Sequence, residues 1–189
     1  MPKNIFLKEG KLKKTILLFV SVVFMLALSS CTKKELPPPQ WGYEKDGIKL
    51  QITADPMLNL DNGKAHTLYV CIYQLKDPNG FNQLSGDQSG LYKLLDCKLF
   101  DAGVASSKRL IVNPGKDSTL VMDRAENAKY LAVVAGYYGI VKERITRLVK
   151  IPVVIEEKGF FSKSKKQKPG LLDITLVLGP EQIDEIKGQ

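Results

Sequence analysis

Histidine and cysteine, the residues on which most metal and nucleophile sites depend, are scarce in this chain. Its 189 residues include one histidine and three cysteines. There is no C-x-x-C pair, no H-E-x-x-H helix and no G-x-x-x-x-G-K-[ST] loop, which argues against the usual zinc and nucleotide sites. His66, at the head of a predicted strand, has no serine placed beside it and is interpreted as a surface residue. The chain is therefore not predicted to be an enzyme, and no metal site or cofactor is expected.

Strong positive charge is also absent once the N-terminus is set aside. The formal net charge is +8, but residues 1–30 contain five lysines and one glutamate, which leaves +4 for residues 31–189. A charge of this size is ordinary for a soluble domain. Basic and aromatic residues do not interleave as they do in proteins that bind single strands. No nucleic-acid partner is expected.

A hydrophobic run long enough to cross a bilayer is missing as well. The apolar run 16–28 is shorter than the roughly 20 residues that a spanning helix needs. Five lysines precede it, and Leu28-Ser29-Ser30-Cys31 follows it. This order is typical of a bacterial lipoprotein signal peptide. Residues 1–30 are predicted to be removed, and Cys31 to be acylated as the first residue of the mature chain. The alternative is a plain transmembrane anchor with an incidental cysteine.

The residues after Cys31 bear on location. In enterobacterial lipoproteins, aspartate after the acylated cysteine resembles an inner-membrane retention signal. The residue here is Thr32, which favours a lipid anchor in the outer membrane, facing the periplasm. Residues 31–40 include three consecutive prolines and predict a polyproline II tether of about 25–30 Å at most. The folded domain is expected to span residues 41–189.

Two further cysteines, Cys71 and Cys97, are candidates for one disulfide. The predicted compartment is oxidising, and the number of remaining cysteines is even. The alternative is two separately buried thiols, since Cys71 lies in an apolar, β-branched segment.

The apolar pattern of the domain has a period of two rather than 3.6. Alternation is clearest at 48–52, 68–73, 145–151 and 172–178. The nearly continuous apolar run 130–138 predicts a strand buried on both faces. Segments with turn residues between them predict seven or eight strands, and hence a mainly β, two-sheet β-sandwich.

Helices are expected to be short and peripheral. Asp77-Pro78 predicts a helix start followed by Phe81 and Leu84. Three leucines between 91 and 95 have helical spacing, and a further helix is expected after Pro180, with two isoleucines on one face.

Two loops are candidates for binding by contact. The first, 54–66, carries apolar residues at its tip and is unusually long unless it binds something. Its segment Asp61-Asn62-Gly63 is typical of a tight turn with positive φ. The alternative is a loop that tucks Met57 and Leu58 under a sheet edge as part of the core. The second loop, 159–169, carries a basic tip made of Lys163, Lys165, Lys166 and Lys168. This tip is either a solvated hairpin end or a contact for anionic lipid or an acidic partner.

Several segments, taken in order, resemble the type VI secretion lipoprotein family (TssJ, also called SciN). Residues 73–77 with Phe81 resemble its Y-Q-L-x-D…F stretch. Asp123-Arg124 precedes Tyr130, and 130–137 resembles the family's Y-x-x-V-V-A-x-[YF] core strand. The resemblance extends from about Trp41 to Ile186.

The resemblance implies a transthyretin-like sandwich with extra short helices. It implies an outer-membrane lipoprotein that binds the periplasmic domain of a large inner-membrane component (TssM-type) in the secretion machine's membrane core complex. In that family the loop between the first two strands contacts the partner. Carried over to this chain, the expected contact residues are Met57, Leu58, Asn59, Leu60, Asp61 and Asn62.

Two other functions stay open at this stage. A carrier for a small apolar ligand would require a cavity of a few hundred Å³ lined by tyrosine and leucine. A structural lipoprotein that contacts peptidoglycan would depend on the lysine tip alone.

Overall fold

A computed structural model describes residues 36–158 and 164–188. These residues contain three short helices: α1 (Asn79–Leu84), α2 (Gln88–Leu95) and α3 (Lys142–Ile145). They also contain ten strands: β1 (Glu44–Ala54), β2 (Leu68–Leu75), β3 (Val104–Val112), β4 (Ser118–Arg124), β5 (Tyr130–Ala135), β6 (Thr146–Lys150), β7 (Val153–Lys158), β8 (Ser164–Pro169), β9 (Leu172–Leu178) and β10 (Ile183–Gly188). The predicted mainly β class is confirmed.

Two four-stranded sheets form the sandwich. The first has the strand order β10-β9-β1-β4 and the second β3-β2-β5-β6, while β7 and β8 form a separate two-stranded sheet. Strand β1 runs parallel to β9, with Ile48 opposite Leu172 and Ala54 opposite Leu178. The other strand pairs are antiparallel. One buried hydrophobic cluster contains side chains from both sheets and from α1 and α2.

The central strands of the second sheet are buried on both faces, as the apolar run 130–138 predicts for β5. All of β5 after Tyr130 is buried, and only Tyr69 of β2 is partly exposed. One face of β2 contributes to the sandwich core. On the other face the hydroxyl of Tyr73 donates to the carbonyl of Leu94 in α2, at 2.5 Å. The Tyr73 ring also packs edge-on against Phe100. The helical segment therefore covers the outer face of this sheet.

The two helices between β2 and β3 lie where the sequence predicts them. Asp77 accepts a hydrogen bond from the backbone N–H of Asn79 at 2.8 Å, and α1 begins one residue after Pro78. Asp87 caps α2 by accepting from the N–H of Gly90 at 2.8 Å. The buried leucines of α2 face the sheet.

A disulfide joins these helices to the sheet. Cys71, fully buried in β2, is bonded to Cys97, and their Cα atoms are 5.1 Å apart. The bond closes a loop of 26 residues, so it restrains the whole segment that contains α1 and α2.

The helix predicted after Pro180 is wrong, because this segment forms strand β10. Ile183 pairs with Leu178, and the register shifts before Glu185 pairs with Val177. This irregularity lets Ile183 be fully buried and Ile186 pack against the core, although they are three residues apart. A bulged strand thus imitates helical spacing.

The prediction of a loop over 159–169 is wrong for its second half. Residues 164–169 form β8, which pairs with β7 from Lys158–Ser164 to Val153–Pro169. Lys165, Lys166 and Lys168 therefore lie on a strand, whereas Lys163 lies outside the described residues. The hairpin β7–β8 and strand β10 bring the number of strands above the predicted seven or eight.

The predicted signal peptide and the lipidation of Cys31 fall in residues 1–35, outside the described residues, and stay predictions. Across 36–158 and 164–188, none of the helices has both the length and the hydrophobicity that membrane crossing requires.

Candidate functional site

The connections β1–β2, β3–β4, β5–β6 and β9–β10 meet at one end of the sandwich. We call this surface the loop end; it consists of residues 55–67, 113–117, 136–141 and 179–182. The backbone N–H of Gly115 donates to the carbonyl of Asp55 at 3.1 Å, and that of Leu60 donates to the carbonyl of Pro180 at 2.8 Å. The fourth segment is joined by the backbone N–H of Tyr138, which donates to the Asn59 side chain at 3.1 Å, so the four segments form one continuous surface.

The middle of the β1–β2 loop is part of the core. Leu58 is fully buried, and Asn59 is 6% exposed. The Asn59 amide donates to the carbonyl of Thr67 at 3.2 Å and accepts from the N–H of Tyr138 at 3.1 Å. The prediction of exposed apolar residues at the loop tip is therefore wrong for Leu58, and Asn59 is also turned inward. Both side chains fix the loop from beneath. The core alternative, which places Met57 and Leu58 under a sheet edge, is correct for Leu58 and wrong for Met57.

The outer residues of this loop are accessible. Met57 is 43% exposed, Leu60 and Asp61 are half-buried, and Asn62 is exposed. Of the expected contact residues, these four present surface to a partner in this conformation.

A rigid turn shapes the tip of the loop. Asp61 and Lys64 exchange two backbone hydrogen bonds, each of 2.9 Å. Between them, Asn62 and Gly63 have φ values of 48° and 74°, the left-handed pair of a type I′ turn. The tight turn expected at Asp61-Asn62-Gly63 is present, and it limits the conformational entropy that binding would cost.

The β5–β6 loop adds residues that the sequence did not single out. Tyr138 is 59% exposed and Val141 45% exposed. The Tyr138 ring packs edge-on against His66, with ring centroids 5.4 Å apart. The sequence feature that relates to their exposure is the length of the apolar run 130–138, which extends three residues beyond the end of β5 at Ala135.

Buried hydrogen bonds hold the β5–β6 loop to the β9–β10 connection. The Tyr137 hydroxyl lies 2.7 Å from the carbonyl oxygen of Gln182 and 3.2 Å from that of Gly179. Burial raises the pKa of Tyr137, so this hydroxyl remains protonated and can donate. The exposed Tyr138 next to it is thereby carried on a fixed backbone.

The composition of the loop end suits it to contact with another protein. His66 is half-buried, and its ring contact is with Tyr138. In the described part of the chain, no group of three or more His, Cys, Asp or Glu side chains could hold a metal ion. The surface instead combines exposed apolar side chains with a polar turn, a composition typical of protein interfaces.

The lysines of β8 are not placed at the loop end. The Nζ atom of Lys165 lies 2.8 Å from Oε1 of Glu157, and the Nζ atom of Lys168 lies 3.1 Å from Oε1 of Glu156. Both pairs are on the β7–β8 hairpin and are partly exposed.

A pocket on the first sheet does not match the carrier alternative. It has a volume of about 410 Å³ and is lined by Gln51, Ile52, Thr53, Asp117, Ser118 and Thr119. Neither tyrosine nor leucine lines it, and polar side chains predominate. An apolar ligand would gain little hydrophobic stabilisation there.

Comparison with known proteins gives one family and several solved structures. The family T6SS-SciN, described as "Type VI secretion lipoprotein, VasD, EvfM, TssJ", matches residues 46–163, which is more than half of the chain. No curated protein sequence matches.

The similar structures share the fold at low sequence identity. The T6SS lipoprotein TssJ1 from Pseudomonas aeruginosa is 18% identical, with a TM-score of 0.55, and the match covers 80% of this chain and 98% of that chain. Lip from Serratia marcescens, described as a membrane-bound component of the type VI secretion system, is 18% identical, with a TM-score of 0.53 and coverage of 75% and 96%. A structure described as the TssM C-terminal domain (869–1107) from EAEC is 17% identical, with a TM-score of 0.52 and coverage of 75% and 96%.

Proposed function

This chain belongs to the type VI secretion lipoprotein family, and we propose that it is an outer-membrane component of the secretion machine's membrane core complex. In this proposal acylated Cys31 anchors the chain in the outer membrane. The domain faces the periplasm and binds the periplasmic domain of a TssM-type inner-membrane protein. Its role is to connect two membranes, not to catalyse a reaction.

The observation that carries the proposal is the construction of the loop end. Met57 and Tyr138 are exposed on segments whose neighbouring residues, Leu58, Asn59 and Tyr137, are buried. Exposed apolar side chains on a fixed backbone are favourable for binding, because little further ordering is needed when a partner arrives. The contact residues we propose are Met57, Leu60, Asp61, Asn62 and Tyr138.

Lipid anchoring supports this role energetically. Each buried methylene of an acyl chain contributes about 0.8 kcal/mol to membrane attachment, so several chains make release negligible. Confinement of the domain to the membrane raises its effective concentration near a partner that spans the periplasm. The protein contact itself can then be modest in affinity.

Substitution of the acylated cysteine tests the anchoring. The Cys31→Ser variant is expected to lose its membrane attachment and to abolish assembly of the core complex. Normal secretion by an unlipidated variant at native expression level would contradict the proposal.

Charge introduced at the loop end tests the partner contact. We expect Met57→Asp to weaken binding of the partner's periplasmic domain by about tenfold or more, as for a residue at the centre of an interface. The matched control is Val121→Asp, since Val121 is 49% exposed on β4. Titration calorimetry with each variant measures the difference. If Met57→Asp bound the partner as tightly as the control Val121→Asp, the loop end would not be part of the interface.

A further inference from the structure

The β7–β8 hairpin exposes apolar side chains to solvent. Its two strands pair with each other and with no other strand among residues 36–158 and 164–188. Val153 and Val154 are each 40% exposed, Ile155 is 60% exposed, and Leu171 beside the hairpin base is 67% exposed. An isolated two-stranded hairpin is marginally stable in water. Side chains alternate along a strand, so Val153 and Ile155 lie on one face of the hairpin and Val154 lies on the other. Both faces therefore expose apolar surface that is available for contact.

The hairpin also concentrates the charge of the mature chain. Residues 153–169 contain five lysines and two glutamates, which gives a net charge of +3. Residues 31–189 carry +4 in total, so the hairpin segment holds most of this net charge. Glu156 and Glu157 offset part of the charge through their contacts with Lys168 and Lys165. The apolar surface is thus accompanied by a local excess of positive charge.

Strand direction places the hairpin at the end of the sandwich opposite the loop end. Strand β9 leaves the hairpin at Leu172, beside Ile48 near the start of the β1 ladder. The loop end instead follows Ala54 and Leu178, where β1 and β9 finish. Seven residues of strand separate these two ends by about 20 Å.

The hairpin lies beside the point at which the chain enters the domain. The side-chain amide of Gln167, on β8, lies 3.4 Å from the backbone carbonyl oxygen of Leu36. Leu36 follows Cys31 by five residues, and five fully extended residues span at most about 17 Å. Acylation of Cys31 would therefore keep the hairpin close to the lipid surface.

We propose that the β7–β8 hairpin is a second, non-covalent membrane contact, which binds the anionic phospholipid surface beside the acyl anchor. This inference depends on the proposed acylation of Cys31. Strand β7 lies towards the interfacial region, which Val153 and Ile155 enter from one face of the hairpin and Val154 from the other. Lys165, Lys166 and Lys168 of the paired strand β8 face lipid phosphates. The contact orients the domain, so that the loop end points away from the membrane, towards the partner.

A fluorescent probe on the full lipidated chain tests this contact. The Ile155→Cys variant carries a polarity-sensitive dye on its added thiol, with the native disulfide intact, and is reconstituted into vesicles. The matched control is Val121→Cys, labelled in the same way. Vesicles of phosphatidylcholine with about one-third phosphatidylglycerol are compared with phosphatidylcholine alone, because each lysine near an anionic surface is expected to favour docking about fivefold.

The expected result is a blue shift at position 155 in the anionic vesicles, quenched by nitroxide-labelled lipids, smaller in neutral vesicles and absent at position 121. Anchored protein whose dye at position 155 stays in water would overturn this inference alone. Failure to associate with vesicles would overturn the acyl anchor and this inference with it. A blue shift that lipid quenchers leave unchanged would overturn it in favour of coverage by a second copy of the chain.

Discussion

Loss of the disulfide is expected to destabilise the domain strongly. The bond joins Cys71 and Cys97 across 26 residues. On the chain-entropy estimate, closing a loop of this length stabilises the folded state by about 3.5 kcal/mol. The bond also holds the backbone locally at Cys97, which adopts a left-handed φ of 56°. The carbonyl of Cys97 accepts a hydrogen bond from the Ser107 hydroxyl at 2.9 Å. Without the bond, the restraint on the α1–α2 segment is weaker.

The Cys71→Ala/Cys97→Ala double variant provides the test, by urea and thermal unfolding of the otherwise unchanged protein. For a domain of this size, about 3.5 kcal/mol corresponds to a Tm lower by about 7–14 °C. The control is a reducing agent, which should lower the Tm of the native protein by a similar amount and leave the double variant unchanged. A loss below about 1 kcal/mol would refute the reasoning, since loop closure would then not limit the unfolded chain.

Three further predictions concern stability. Leu58→Ala should lower the free energy of unfolding by about 2.5–5 kcal/mol, because Leu58 is fully buried. Met57→Ala should change it by less than about 1 kcal/mol. Urea unfolding compares the two variants, and equal losses would contradict the assignment of Leu58 to the core and of Met57 to the surface. Arg124→Met should raise the free energy of unfolding by about 1 kcal/mol, because Arg124 is 2% exposed and its Nε and Nη1 have no hydrogen-bond partner among residues 36–158 and 164–188. A clear loss of stability on chemical unfolding would argue against this. The hydrogen bond from Lys49 lowers the pKa of Asp173, so this carboxylate stabilises the fold at neutral pH. Its contribution is lost as the pH falls through the depressed pKa, below about 3.9. The urea midpoint of Asp173→Asn should therefore depend less on pH in this acidic range than that of the native protein, and an equal dependence would contradict the prediction.

Strand β9 could be predicted from the sequence, because burial alternates strictly along it. In β9 every second residue from Leu172 to Leu178 is buried. Strand β10 could not be predicted, because the irregularity before Glu185 gives its isoleucines the spacing of a helix. The decisive feature there is pairing with β9, which is not a local property of the sequence.

The candidate site could be predicted only as a segment. Met57 and Leu58 are adjacent and both apolar, and nothing in their local sequence indicates which is buried. The answer depends on Asn59, whose amide bonds to Thr67, eight residues further along the same loop, and to Tyr138, which the fold brings to it from the β5–β6 loop. Tyr138 was missed for the same reason, since its exposure depends on where β5 ends.

The central claim, that the loop end binds the inner-membrane partner, is tested most directly by lysine cross-linking of the full chain with the partner's periplasmic domain. The lysines at or beside the loop end are Lys64, Lys116 and Lys142, all of which are exposed. The hairpin at the opposite end carries Lys165, Lys166 and Lys168, which are also exposed and serve as an internal control. We predict that cross-links to the partner, identified by mass spectrometry, form at the first set. Cross-links that form mainly at the hairpin lysines would contradict the account.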